Sequence, residues 1–180
     1  MLKNNKQQFG LVSIVVHWLS AVVILALFAV GYWMVDLNYY SEWYRTAPHY
    51  HKSVGLLLLL LTLFRISWKF ISPNPEVFAE HKTEKLAAHA GHYLLYIILL
   101  IILISGYLIS TADGRGIDLF NWFVFPSLGE LFANQEDVSG DVHKYSAYAL
   151  MAVVVLHVLA ALKHHFINKD KTLARMFNRN

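Results

Sequence analysis

The sequence predicts an all-α integral membrane protein, a single four-helix bundle over residues 1–180 with N- and C-termini cytoplasmic. Three observations carry this. The composition is 57% hydrophobic and only 15% charged, against about a quarter charged in soluble domains; mean hydropathy is +0.43. Four apolar stretches are long enough to cross a bilayer. Lysine and arginine collect on one side of them.

The first stretch, Val12–Val35, exceeds the apolar region of a cleavable signal and is followed by no A-x-A site, so it reads as a retained helix. The second, third and fourth run Ser53–Ile71, His89–Ser110 and His143–Ile167. Each is near the roughly 20 residues that a bilayer core requires. With both termini on one side, that side holds Lys3, Lys6, Arg65, Lys69, Lys82, Lys85, Lys163, Lys169, Lys171, Arg175 and Arg179. The other side holds Arg45, Lys52, Arg115 and Lys144. The bias puts both termini in the cytoplasm. Ser72–Lys85, with Pro73, Pro75 and His81, reads as a cytoplasmic linker. Thr111–Val142 is too long for a plain turn, and Phe120–Phe125 reads as an aromatic segment in the interface.

The chain has no cysteine. That removes disulfides, thiolate ligands, cysteine-bound iron–sulfur clusters and thioether-linked haem. The net charge of +3 follows the membrane sidedness and gives no reason to expect nucleic acid. The chemistry lies in the histidines, because imidazole inside a bilayer is costly and marks function by default. His143 and His157 are fourteen residues apart, about four helical turns, so they share a face at two depths about 21 Å apart. Topology puts His51 at the outer level with His143, and His17 at the inner level with His157. His49 competes with His51 outside.

No carboxylate lies within a span, and two imidazoles alone do not satisfy zinc. They do supply both axial ligands of a haem iron whose other four nitrogens come from the porphyrin. A porphyrin between helices needs backbone free of bulk near it, and Gly31, Gly55, Ala147, Ala160 and Ala161 supply small residues at these levels. Arg65, fourteen residues after His51, is a candidate for haem propionate. His89, His92 and His164 are candidates for quinone or propionate, and either of the first two could replace an inner ligand. His165 reads as an interfacial histidine.

On these residues the chain resembles the bacterial cytochrome b561 family over nearly its whole length. The features are His17-Trp18, His51-Lys52-Ser53-Val54-Gly55, His89-Ala90-Gly91-His92, and His143 with His157. The tail His164-His165-Phe166 followed by Lys169-Asp170-Lys171-Thr172-Leu173 also fits. The resemblance implies two haem b groups with iron held by His17, His51, His143 and His157. It implies one-electron transfer across the membrane between a periplasmic redox partner and the quinone pool, with ubiquinone the expected quinone. Some members resemble superoxide:ubiquinone oxidoreductases, and related di-haem proteins are membrane subunits of hydrogenases or dehydrogenases in the respiratory chain.

The outer loops carry Asp36, Glu42, Asp113, Asp118, Glu130, Glu136, Asp137 and Asp141. An acidic face works against steering of the superoxide anion and suits a basic periplasmic redox protein. A metal or proton transporter is the weaker alternative, since no intramembrane carboxylate or broken helix accompanies the histidines. A bare structural anchor would gain nothing from four buried imidazoles.

Overall fold

The computed structural model describes residues 1–73, 75–76 and 82–177. Four long helices make the bundle: α1 Leu11–Met34, α2 Thr46–Ile71, α3 Lys82–Thr111 and α4 Gln135–Lys163. The shortest has 24 residues, which at 1.5 Å per residue reaches about 36 Å, beyond a hydrocarbon core of about 30 Å. α1 packs along α2, α3 along α4, and α2 joins the two pairs through α3. His81 and Arg179 lie outside the described residues.

Three helices begin earlier than the apolar pattern predicts. α2 starts at Thr46, α3 at Lys82 and α4 at Gln135, rather than at Ser53, His89 and His143. Hydropathy marks the hydrocarbon core, whereas helical hydrogen bonding runs on through polar residues into the headgroup region. His51, His89, His92 and His143 therefore sit well inside helices, where the backbone fixes their direction. α2 ends at Ile71 because Ser72 precedes Pro73. Its φ of −114° and ψ of 129° are the extended geometry that a following proline imposes.

The buried core is small: Leu58, Leu99, Leu103 and Leu150, ringed by residues such as Val23, Leu27 and Ile102. Most apolar side chains face outward, Leu25, Leu60, Ile104 and Leu156 among them. That surface is untenable in water and suited to lipid. Helix contacts use small polar residues instead. Ser20, Ser105 and Thr111 are buried and return their hydroxyls to their own helix backbones.

The segment expected as an interfacial aromatic stretch is a hairpin, β1 Ile117–Leu119 paired antiparallel with β2 Phe123–Phe125. Trp122 N–H donates to Leu119 O at 2.9 Å. Phe120 and Asn121 both take positive φ, as in hairpin turns of the primed type. The hairpin docks on α2 through fully buried Ser53, whose hydroxyl donates to Asp118 O and accepts from Phe120 N–H. Trp122 and Phe123 remain exposed, so the tip keeps its interfacial character. At the same end Gln135 accepts from Leu131 N–H and donates to Leu108 O, tying the long loop to α3.

The opposite end carries both termini and closes with a clasp. Arg175 donates from Nη1 to Gln7 O and from Nη2 to Glu76 O, 3.0 Å each, and lies over the Phe9 ring. Glu76 N–H donates to Lys6 O and Asn4 N–H to Ser72 Oγ. Gly10 is required by close approach, since a Cβ there would collide with Leu2 O and the Lys3 backbone. Trp18 Nε1 donates to Met176 O at 2.8 Å, and its ring packs on Phe177. Arg175→Ala should lower thermal stability in detergent by about 2 kcal/mol, the worth of charged hydrogen bonds to two carbonyls. Arg175→Lys should recover only part, because an ammonium cannot fork to both. An unchanged melting curve for Arg175→Ala would contradict the clasp.

Candidate functional site

Inner denotes the end of the bundle with both chain termini, outer the opposite end. At the outer level His51 of α2 faces His143 of α4, with ring centres 6.3 Å apart and planes at 72°. At the inner level His17 of α1 faces His157 of α4, 6.4 Å apart at 68°. The two pairs expected from depth alone are thus brought together. His49 points elsewhere, lining a cavity of about 340 Å³ with Tyr50, Phe120, Asn121 and Trp122.

The separation is chemically specific. Two metal–nitrogen bonds of about 2.0 Å, each extended by about 1.1 Å to its ring centre, place collinear imidazoles about 6.2 Å apart. Both pairs match that span. His92 reaches His157 at 5.4 Å, short of the span that two collinear bonds to one iron require. Among the described residues, no three His, Cys, Asp or Glu side chains gather as a bare-ion site. Two donors per level fit an iron whose remaining four ligands belong to a macrocycle.

Glycines set the outer rings in place. A Cβ on Gly31 of α1 would lie 3.1 Å from His51 Cε1, and one on Gly106 of α3 would lie 3.0 Å from His143 Cε1. Each imidazole therefore rests on bare backbone from a neighbouring helix. His143 Nδ1 donates to Ile102 O at 2.9 Å. That bond fixes the tautomer and leaves Nε2 for a metal, as outer partners of ligating histidines do. His51 Nδ1 is buried and finds no hydrogen-bond partner among the described residues. His51 thus lacks the Nδ1 partner that fixes the tautomer of His143.

Gly31 is readable from the sequence, lying fourteen residues after His17. Gly106 is not picked out by sequence reasoning. Its signal is the pair of small residues Ser105-Gly106, one span-length beyond His89, but apolar periodicity does not mark it. A Cβ on Gly55, one turn after His51, would meet nothing within 4 Å, so open space lies against that stretch of α2.

The inner level is built from side chains. Trp18 meets the His17 ring edge-on at 5.4 Å. Arg65 Nη2 lies 2.9 Å from His17 Nδ1, so Arg65 reaches the inner level as its position predicts. His89 lies three residues before His92 on α3. His164, seven residues past His157, opens a single π-helical turn, His164–Asn168. Its Nδ1 donates to Asp170 Oδ2 at 2.5 Å. Partial burial works against the Asp170 charge, but hydrogen bonds from Thr172 and His164 outweigh it and hold the carboxyl below its usual range. His165 packs on Phe166.

With this geometry in place, comparison with known proteins identifies the fold's lineage. The family model described as prokaryotic cytochrome b561 matches residues 8–179. The chain is 45% identical to "Cytochrome b561 homolog 2" of Escherichia coli K12, covering 98% of this chain and 94% of the relative. It is 30% identical to "Cytochrome b562" of Cereibacter sphaeroides over 91% of each. It is 27% identical to "Probable superoxide oxidase CybB" of Yersinia pestis, covering 94% and 96%. The chain belongs to the prokaryotic cytochrome b561 family. It is a multi-pass inner-membrane electron-transfer protein, and its family binds b-type haem.

Gly31→Val and Gly106→Val should each displace an outer imidazole and reduce haem bound per chain, read as the pyridine haemochrome against protein. Haem at the native level in both variants would contradict the glycine seats.

Proposed function

We propose that the chain carries single electrons across the membrane through two haem b groups. His51 and His143 hold the outer iron, His17 and His157 the inner. The termini lie in the cytoplasm, so the outer level exchanges electrons with a periplasmic partner and the inner level serves the quinone pool. One observation carries this reading: two histidine pairs at nearly equal separations, 6.3 and 6.4 Å, each matched to a two-bond span through one metal. Bound haem supplies the one-electron chemistry; the chain sets ligation, burial and polarity, and through them the potentials.

The residues divide the remaining work. His143 keeps its Nδ1 proton on Ile102 O and so presents Nε2 throughout. Trp18 and the tail segment around Phe177 cover the inner level from the aqueous side. Reduction of a quinone consumes two electrons and two protons. His164, hydrogen-bonded to Asp170 at the membrane edge, and His92, beside His157, are the groups that handle those protons, imidazole being suited to exchange near neutral pH.

Two outer partners fit. The name of the Yersinia pestis relative favours superoxide as electron donor. The acidic outer loops favour a basic redox protein, and Arg115, one of the few outer cations, is neutralised by a short ion pair with Asp113. His143→Ala and His17→Ala test the assignment together. Each should lose one of two haems and retain the other's low-spin spectrum; loss of both or of neither would break the pairing. Reduction of the haems by a superoxide-generating system, suppressed by superoxide dismutase and followed by ubiquinol formation, would select superoxide. Reduction only through an added periplasmic protein would select the alternative.

A further inference from the structure

Arg65 and Lys69 stand one turn apart on α2 at the inner level, and both heads are turned toward α3. Arg65 Cζ lies 5.3 Å from the centre of the Tyr96 ring. Lys69 Nζ lies 4.9 Å from Tyr93 and 5.5 Å from Tyr96. The ion pairs among the described residues join Arg115 to Asp113, Lys163 to Glu84 and His164 to Asp170. None of them engages Arg65 or Lys69. Two cations held in register over the same tyrosine repel each other, and ring faces return only about 0.5–2 kcal/mol each. The arrangement is complete only with two negative charges between or beside the heads.

His17 sharpens the point. A guanidinium has donors and no acceptor, so a bond between Arg65 Nη2 and His17 Nδ1, at 2.9 Å, requires Nδ1 without a proton. A neutral imidazole bound to iron through Nε2 carries its proton on Nδ1. Iron and Arg65 thus ask opposite tautomers of His17. The conflict is relieved if Arg65 turns from Nδ1 to an acceptor nearby, and its long side chain permits that.

We propose that Arg65 and Lys69 form a dicationic cradle, backed by Tyr93 and Tyr96, that binds the two carboxylates of the inner haem. This rests on the reading of His17 and His157 as the inner pair. Arg65 grips one carboxylate with its forked donors and Lys69 neutralises the other as a point charge. The cradle orients the inner macrocycle with its acid edge toward the cytoplasmic side of α2 and α3, and it selects an acidic haem over a neutral one.

The test is a spectroscopic titration of full-length apoprotein carrying His143→Ala, so that the inner level loads alone. Haem b and its dimethyl ester, identical in ring and iron but uncharged at the edge, are compared. The native cradle should bind the ester about 10- to 100-fold more weakly than the acid, the fold-change of losing one charged hydrogen bond of about 1.5–3 kcal/mol. Arg65→Gln with Lys69→Gln should weaken the acid form similarly and abolish the preference, while Arg65→Lys should keep part of it. In chains retaining His143, the outer haem spectrum reports that the variants fold. Equal affinity for acid and ester in the native cradle, or a preference surviving the double substitution, overturns the proposal and points the cations to anionic lipid. An inner level that takes up neither form overturns the ligand reading itself.

Discussion

The structure depends on holding two imidazoles from different helices at one fixed separation, twice, at two depths. α4 sets the spacing between levels, because residues fourteen apart return to the same face about 21 Å along the axis. α1 and α2 run in opposite directions and so offer His17 at one end and His51 at the other. The separation within each level is a packing result. It requires helix backbones to approach the rings directly, and Gly31 and Gly106 permit that at the outer level. A bundle held together by bulky core side chains could not do this. The buried core is accordingly sparse, and the helices contact through small residues with lipid covering the rest.

The two levels are stabilised by different means. Outside, the rings rest on backbone: glycine surfaces and the Ile102 carbonyl. Inside, they are surrounded by side chains with charge or dipole: Arg65, Trp18 and His92. Neighbours of these kinds act on ligand basicity and local polarity, which are the levers a protein has over a bound metal. The clasp built on Arg175 adds a further difference, since it joins the N-terminal arm, the linker and the tail over the inner end alone.

Much of this is legible in the sequence for simple reasons. Hydropathy reports the hydrocarbon core, and a four-turn interval reports a shared face, so the four spans and both histidine pairs follow from spacing and direction. Helix starts do not, because polar first turns such as Thr46–Tyr50 carry no apolar signal yet remain helical. The hairpin at Ile117–Phe125 is hidden because its strands are three residues long and its turn lacks the usual Asn-Gly, placing Phe120 at positive φ instead. Gly106 and the Lys69–Tyr93–Tyr96 contacts depend on how α3 rotates against its neighbours, which tertiary packing decides. The choice between His17 and His92 as partner of His157 needs a distance, 6.4 against 5.4 Å.

The central claim is that each level presents two imidazoles to one iron with their planes strongly crossed. Electron paramagnetic resonance of the oxidised, haem-loaded protein tests this most directly. Planes at 72° and 68° predict two low-spin ferric signals of the strongly anisotropic type that crossed imidazoles produce. A high-spin ferric signal would mean an iron with one imidazole or none, and rhombic low-spin signals of parallel imidazoles would mean rings set otherwise; either would contradict the account.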